Sequence, residues 1–150
     1  MTLDDDARDA AIEHFTARLR FETDPSDVAA ARAAGERFVI LDVRSQASWE
    51  AGHIPGALHI PRADLDARLH EIPEGLDIVV HCWGPACNAA TKAALMLSRH
   101  GRRVQEMIGG YEYWAREGLQ IETAVGRTRL PIDPLTSPPQ PPAPPVPPHH

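Results

Sequence analysis

The sequence predicts an α/β fold: a parallel sheet of roughly five strands with helices on both faces. Three observations predict it. Short apolar runs alternate with stretches of helical periodicity, the pattern of parallel strands joined by crossover helices. The clearest run, Phe38-Val39-Ile40-Leu41-Asp42-Val43-Arg44, is apolar first and charged at its carboxyl end. Another, Ile78-Val79-Val80, leads through His81 and Cys82 into a short loop and then into strong helix-forming sequence from Ala89 to Leu97.

Each element follows in order. Residues 1–21 are expected to form an N-terminal helical extension packed on the domain, because Ala11, Ile12, Phe15 and Leu19 fall at roughly helical spacing. Phe21-Glu22-Thr23 reads as a short first strand. Asp24-Pro25 opens a helix with proline in its first turn, and Gly35 stops it. After the run at 38–44, Ser45 caps a short helix carrying Trp49 and Glu50, which Gly52 ends. His53 to Ala57 is a turn, and Ala57 to Ile60 a short strand closed by Pro61. Leu65, Leu69 and Ile72 mark a further helix. The Cys82 strand, its loop and its helix come next, and the helix closes near His100-Gly101. Val104 to Ile108 is the last strand, Gly109-Gly110 a turn, and Tyr111 to Glu117 a final helix carrying Trp114. Residues 22–124 are therefore read as the domain. From 125 to 150 the composition changes, and ten of the 15 prolines lie between Pro131 and Pro148. Such a segment is expected to be an extended or disordered tail. A ligand for a proline-recognition module, and so a protein partner, is the alternative reading.

A chain of 150 residues is enough for one domain with a real core. A net charge of −6 and a pI near 5.7 argue against a nucleic-acid partner, which would want a basic face. No apolar run approaches the roughly 18 residues needed to span a bilayer. The acidic start, Met1-Thr2-Leu3-Asp4-Asp5-Asp6, does not read as a signal peptide, so a cytoplasmic location is expected. The two cysteines stand five positions apart, which is not a disulfide framework. Two thiols are too few for a structural zinc site, and neither a metal nor a cofactor is expected.

In open parallel sheets, sites lie outside the carboxyl ends of the strands. That rule gathers Asp42 and Arg44, the Pro61-Arg62 step, Cys82 with its loop, and Gly109-Gly110 on one edge. Cys82 stops a strand and faces the N-terminus of the next helix, with Asn88 in place to cap it. Unpaired backbone N–H groups there are expected to lower the thiol pKa and make the sulfur a nucleophilic thiolate. The competing reading is a small buried cysteine without chemistry.

Four pieces of sequence resemble one family: Leu41-Asp42-Val43-Arg44; Trp49-Glu50-Ala51-Gly52-His53-Ile54-Pro55-Gly56-Ala57; Val79-Val80-His81-Cys82 with its loop; and Gly109-Gly110-Tyr111-Glu112-Tyr113-Trp114. In this order and spacing they resemble the single-domain rhodaneses, sulfurtransferases that carry sulfur as a cysteine persulfide. The resemblance covers about residues 20–122 and implies a rhodanese-like sheet with Cys82 as the sulfur carrier. It also implies that the loop Trp83, Gly84, Pro85, Ala86, Cys87 and Asn88 curls round the sulfur with backbone N–H groups pointing at it, a site for an anion. Sulfur would pass from thiosulfate or a persulfide donor to Cys82, and then to cyanide or a thiol. Asp42 and Arg44 match the family's Asp-x-Arg and read as a structural brace. Glu50 and His53 read as pinning the second signature's turn. His81, Trp83 and Trp114 are candidates for the mouth of the site, with the core as the competing place for Trp114.

The loop departs from the family pattern in carrying no cation. Arg44 and Arg62 are the nearest candidates for holding an anionic donor. Asn88 stands six after Cys82, where related phosphatases and arsenate reductases need arginine. Cys87 has two readings: a second thiol that attacks the persulfide or closes a disulfide, or a small residue fitted to the loop wall. The missing cation and second thiol keep open an alternative function, a rhodanese-fold binding or redox-sensing module using Cys82 and Cys87.

Overall fold

The apolar runs β2 (Phe38–Asp42) and β4 (Asp77–His81) lie side by side at the centre of a parallel sheet in the computed structural model, which describes residues 2–136. β3 (Leu58–His59) flanks β2, β5 (Val104–Met107) flanks β4, and β1 (Glu22–Thr23) lies at the far edge, giving the order β1-β5-β4-β2-β3. All four neighbouring pairs are parallel. The expected five-stranded α/β sheet is present.

Strand alternation sends neighbouring residues to opposite faces, and both faces are covered. On one side Leu41, Val43, Ile78, Val80 and Cys82 pack with Ala90, Ala93 and Leu97 of α4 (Ala89–Arg99) and with Leu65 and Ile72. On the other, Ile40 and Val79 pack with Val28 of α2 (Pro25–Ala33) and with Trp114 and Ala115 of α5 (Gly110–Arg116). α3 (Gln46–Ala51) is a short helix between β2 and β3, capped by Ser45 on the Ser48 N–H.

Several elements differ from expectation. The stretch around Leu65, Leu69 and Ile72 is two 3₁₀ turns, Arg62–Asp64 and Leu69–Glu71, rather than one helix. Prolines 61 and 73 confine it, and tight turns still bury Leu65 and Ile72. α1 (Asp5–Phe21) forms as a helix capped by Asp4 but has no buried residue; Ile12, Phe15 and Leu19 face outward, and only Ala11 and Ala17 are half-buried. It is held near its end, where the Gln105 side chain donates to Arg20 O at 3.0 Å. The two-residue strand that follows offers a narrow sheet edge to pack on.

The expected tail begins too early at 125. β6 (Ile121–Thr123) and β7 (Gly126–Thr128) form an antiparallel hairpin, and Ile121 is buried against the α2–α5 side. The chain then folds back: Arg129 donates to Gly118 O at 3.0 Å, and Asp133 pairs with Arg116 at 3.1 Å. Local ladder bonds and one ion pair order this stretch, and an average composition over 125–150 hides them. Residues 137–150, where the partner-binding reading of the prolines mostly falls, lie outside the described residues. Among the described residues, no helix is long and apolar enough to cross a membrane.

Candidate active site

Cys82 follows the last residue of β4 at the carboxyl edge of the sheet and is 3% exposed. The loop 83–88 then leads into α4. The start of α5 closes over the loop's root: the Tyr111 N–H donates to Cys82 O at 3.0 Å and the Glu112 N–H to Trp83 O at 2.8 Å. Gly110 makes this approach possible. Its φ is +62°, and a Cβ there would stand 2.7 Å from Cys82 O and 2.9 Å from Gly84 N.

The sulfur's surroundings differ from expectation in two ways. Burial, then the neighbouring Cys87 thiol, pushes the Cys82 thiol up to about 11. Backbone N–H groups of Ala90 and Trp83 act the other way but are outweighed, so resting Cys82 is a neutral thiol, donating to Cys87 O at 3.2 Å. Cys87 behaves oppositely. Burial raises it, but the neighbouring Cys82 thiol and the Ala89 and Trp83 N–H groups outweigh burial and lower it. The second difference is the cradle. The amides acting on the two sulfurs are those of Trp83, Ala89 and Ala90. Pro85 has no N–H, and the Cys87 N–H is turned to Gly84 O at 3.0 Å. Asn88 occupies the N-cap position without a side-chain cap bond, because its φ of −99° and ψ of 7° lie outside the extended geometry that capping uses. Ala86 and Asn88 are exposed.

Asp42 and Arg44 form a buried bidentate pair. Arg44 Nε reaches both carboxylate oxygens at 3.0 Å, and Nη2 reaches Oδ2 at 2.8 Å and Gly52 O at 2.7 Å. The guanidinium lies 4.2 Å from the Tyr111 ring centre and 5.2 Å from that of Trp83. Arg44 therefore supports the aromatic wall beneath the loop and is not among the residues lining the cavity above Cys82. Arg62 is exposed and also off that lining. His53 stacks on Trp49 at 3.6 Å and holds Trp49 O and Glu122, whereas Glu50 is exposed and bonds only Gln46. Trp83 is half-exposed beside Tyr111, and Trp114 is core, its Nε1–H donating to Gln120 O.

His81 is fully buried and does not reach the mouth of the site. Its Nδ1 lies 3.0 Å from Cys82 O, an acceptor, so Nδ1 carries the proton and Nε2 is left without a hydrogen-bond partner. Burial lowers its pKa, with the Asp42 charge opposing and the Arg44 charge assisting. A base with a depressed folded pKa binds its proton more readily when unfolded. Stability is therefore expected to fall as pH drops below the unfolded value of about 6.5, by up to about 1.4 kcal/mol per pH unit for this one proton. Urea unfolding at stepped pH checks this, and His81→Gln should flatten that part of the profile.

A cavity of about 400 Å³ opens over the sulfur. Cys82, Pro85 and Cys87 line it together with Met107, Gly110 and Tyr113. Its charged groups are Arg18, Asp24, Glu106 and Glu117, none of which the sequence reading singled out. The carboxyl-edge rule would have found two of them, since Asp24 follows β1 and Glu106 lies near the end of β5.

Comparison with known proteins bears on this arrangement. The rhodanese-like domain family matches residues 24–117. A sulfurtransferase of Allochromatium vinosum is 34% identical over 105 residues, covering 70% of this chain and 97% of that protein. A helix-turn-helix-type transcriptional regulator of Mycobacterium tuberculosis is 40% identical over 91 residues, which is 61% of this chain but only 40% of that protein's length. Among solved structures, a Bacillus halodurans protein superposes with a TM-score of 0.71 at 37% identity, covering 79% of this chain and 88% of that one. A Lactobacillus plantarum protein gives 0.70 at 31% identity, covering 77% and 98%.

Proposed function

The chain belongs to the rhodanese-like domain family, and from that premise we propose that it is a sulfurtransferase in which Cys82 carries sulfane sulfur as a persulfide. The similarity to a protein named sulfurtransferase supports sulfur transfer in general. The observation that carries the finer reading is Cys82 at the floor of a cavity, with the Trp83 and Ala90 amides acting on its sulfur.

The chemistry is a two-step exchange. The Cys82 thiol gives its proton to solvent and its sulfur attacks the outer sulfur of thiosulfate or of a low-molecular-weight persulfide. The new Sγ–S bond forms as the donor's S–S bond breaks, and sulfite or a thiolate leaves with the electron pair. Cyanide or an acceptor thiolate then attacks the outer sulfur, and Cys82 leaves as thiolate. Backbone amides at the helix start stabilise each anionic form without a side-chain cation.

A second reading draws on the closeness of the two cysteines, the Cys82 thiol donating to Cys87 O at 3.2 Å, and on the opposite directions in which their pKa values move. Cys87 thiolate attacks Cys82 Sγ of the persulfide, a Cys82–Cys87 disulfide forms, and hydrosulfide leaves. The sulfane sulfur is reduced as the two thiols are oxidised, so no outside oxidant is needed.

One measurement separates these outcomes: the intact mass of the reduced protein after treatment with thiosulfate and with a persulfide donor, side by side. One added sulfur, mapped to Cys82, is the expected result. Loss of two hydrogens instead would favour the disulfide reading. No change with any donor would overturn both.

A further inference from the structure

We infer that the Cys82 cavity selects cationic sulfur acceptors, small thiols that carry an ammonium group. The inference rests on Cys82 being the sulfur carrier and names the acceptor class of that same site.

Three carboxylates from distant parts of the chain line the cavity: Asp24 between β1 and α2, Glu106 in β5, and Glu117 at the end of α5. Glu106 accepts from the Thr91 hydroxyl at 2.7 Å, a neutral partner that leaves its charge intact. Its field reaches the thiol pair, since it opposes the lowering of Cys87. Asp24 accepts the Asp27 N–H at 2.9 Å, again without a cation. Glu117 Oε2 is buried with no hydrogen-bond partner, and burial together with the Asp24 charge raises its pKa. Asp24 and Glu117 stand close enough for their charges to interact, which concentrates negative potential on that side of the cavity.

The one lining cation does not offset this. Arg18 is held by Glu22 at 3.0 Å, so its charge is already matched. Arg44 is engaged with Asp42 below the loop, and Arg62 lies off the cavity. An ammonium group entering beside Cys82 meets the negative field of the three acidic residues that line the cavity. A carboxylate or sulfonate meets the same charges as repulsion. The preference acts on the discharge step: the acceptor's thiolate takes the outer sulfur and Cys82 departs as thiolate, while the ammonium stays in place.

The test uses the full chain, loaded as the persulfide and discharged in single turnover by 2-aminoethanethiol, 2-mercaptoethanol or 3-mercaptopropionate. Each rate is expressed per thiolate and divided by that thiol's rate against a small disulfide in free solution, which removes intrinsic nucleophilicity. The aminothiol is expected to exceed the carboxylate thiol by about tenfold or more at low salt. The ratio should shrink towards unity in roughly molar salt. Glu106→Gln and Asp24→Asn should each reduce it by about sevenfold, since one charge about 7 Å away in water speeds the ammonium thiol about threefold and slows the carboxylate thiol by a similar factor. Asparagine retains capping ability, so Asp24→Asn keeps the start of α2.

A ratio near or below one on a normally loaded protein overturns the inference and leaves sulfur transfer standing. A second measurement needs no persulfide. Unloaded Cys87→Ser protein is modified at Cys82 with 2-aminoethyl or 2-sulfonatoethyl methanethiosulfonate, again normalised to a free thiol. The cationic reagent should be faster by a similar factor. Equal rates overturn the charge selection even where no donor loads Cys82, and failed loading with a cationic preference intact would overturn the sulfur-carrier reading on which the acceptor assignment rests.

Discussion

Cys82→Ser is expected to lower thiocyanate formation from thiosulfate or a persulfide donor and cyanide by at least about a thousandfold, while leaving the fold in place. Both halves of that expectation follow from the local structure. The buried sulfur makes one hydrogen bond, to Cys87 O at 3.2 Å, and a serine hydroxyl in the same rotamer can make it too. The change in volume is small, and the packing against Ala90 and the sheet is retained. The chemistry is not retained, because oxygen does not hold sulfane sulfur as a persulfide does, and the exchange has no covalent intermediate without Sγ. Thermal unfolding alongside the cyanide assay checks the two halves. Comparable turnover from both proteins would remove Cys82 from the reaction. A large fall in Tm would instead give its thiol a structural share.

Asp42→Ala is expected to cost about 3–5 kcal/mol of stability, because it strands the Arg44 guanidinium in a fully enclosed site. Asp42 is fully buried and the Arg44 side chain is 2% exposed, so solvent does not screen the pair or rescue the orphan. The carboxylate also accepts the Arg44 backbone N–H at 2.9 Å, and a neighbouring buried His81 Nε2 lies 3.8 Å from it. Denaturant unfolding with matched m-values measures the loss. The double variant Asp42→Ala, Arg44→Met should be markedly less unstable than the sum of its single changes, since the stranded charge goes with its partner. Sulfur transfer should fall in Asp42→Ala as well. Arg44 supports Tyr111 and Trp83, and Tyr111 in turn holds the Cys82 carbonyl.

The centre of the sheet was legible because β2 and β4 are buried on both faces, and continuous apolar runs of that kind have few other uses in a domain this size. Trp114 and the strand-loop-helix at Cys82 were legible for similar reasons. The segment at 62–72 was not, since Leu65, Leu69 and Ile72 face one side whether the backbone forms one helix or two tight turns. In α1 the apolar spacing was real but its burial was not, because periodicity reports a stripe and not what covers it. At the site, strand-end position singled out Cys82, while its protonation depended on enclosure, which a helix N-terminus alone does not determine. Asp24, Glu106 and Glu117 were hidden among ordinary surface charges, being more than ten residues apart and convergent only in the fold.

The hairpin β6–β7 changes where this domain ends. The family match stops at residue 117, yet the turn after α3 is tied to β6 by paired backbone bonds between His53 and Glu122, at 3.0 and 2.8 Å. Gly52, one residue earlier, supplies a carbonyl to Arg44. Ile121 fills the core behind it. The cooperative unit is therefore longer than the stretch that the family match covers. A chain trimmed at residue 117 would lose part of the scaffold for the Asp42–Arg44 pair, immediately after the last residue that lines the Cys82 cavity.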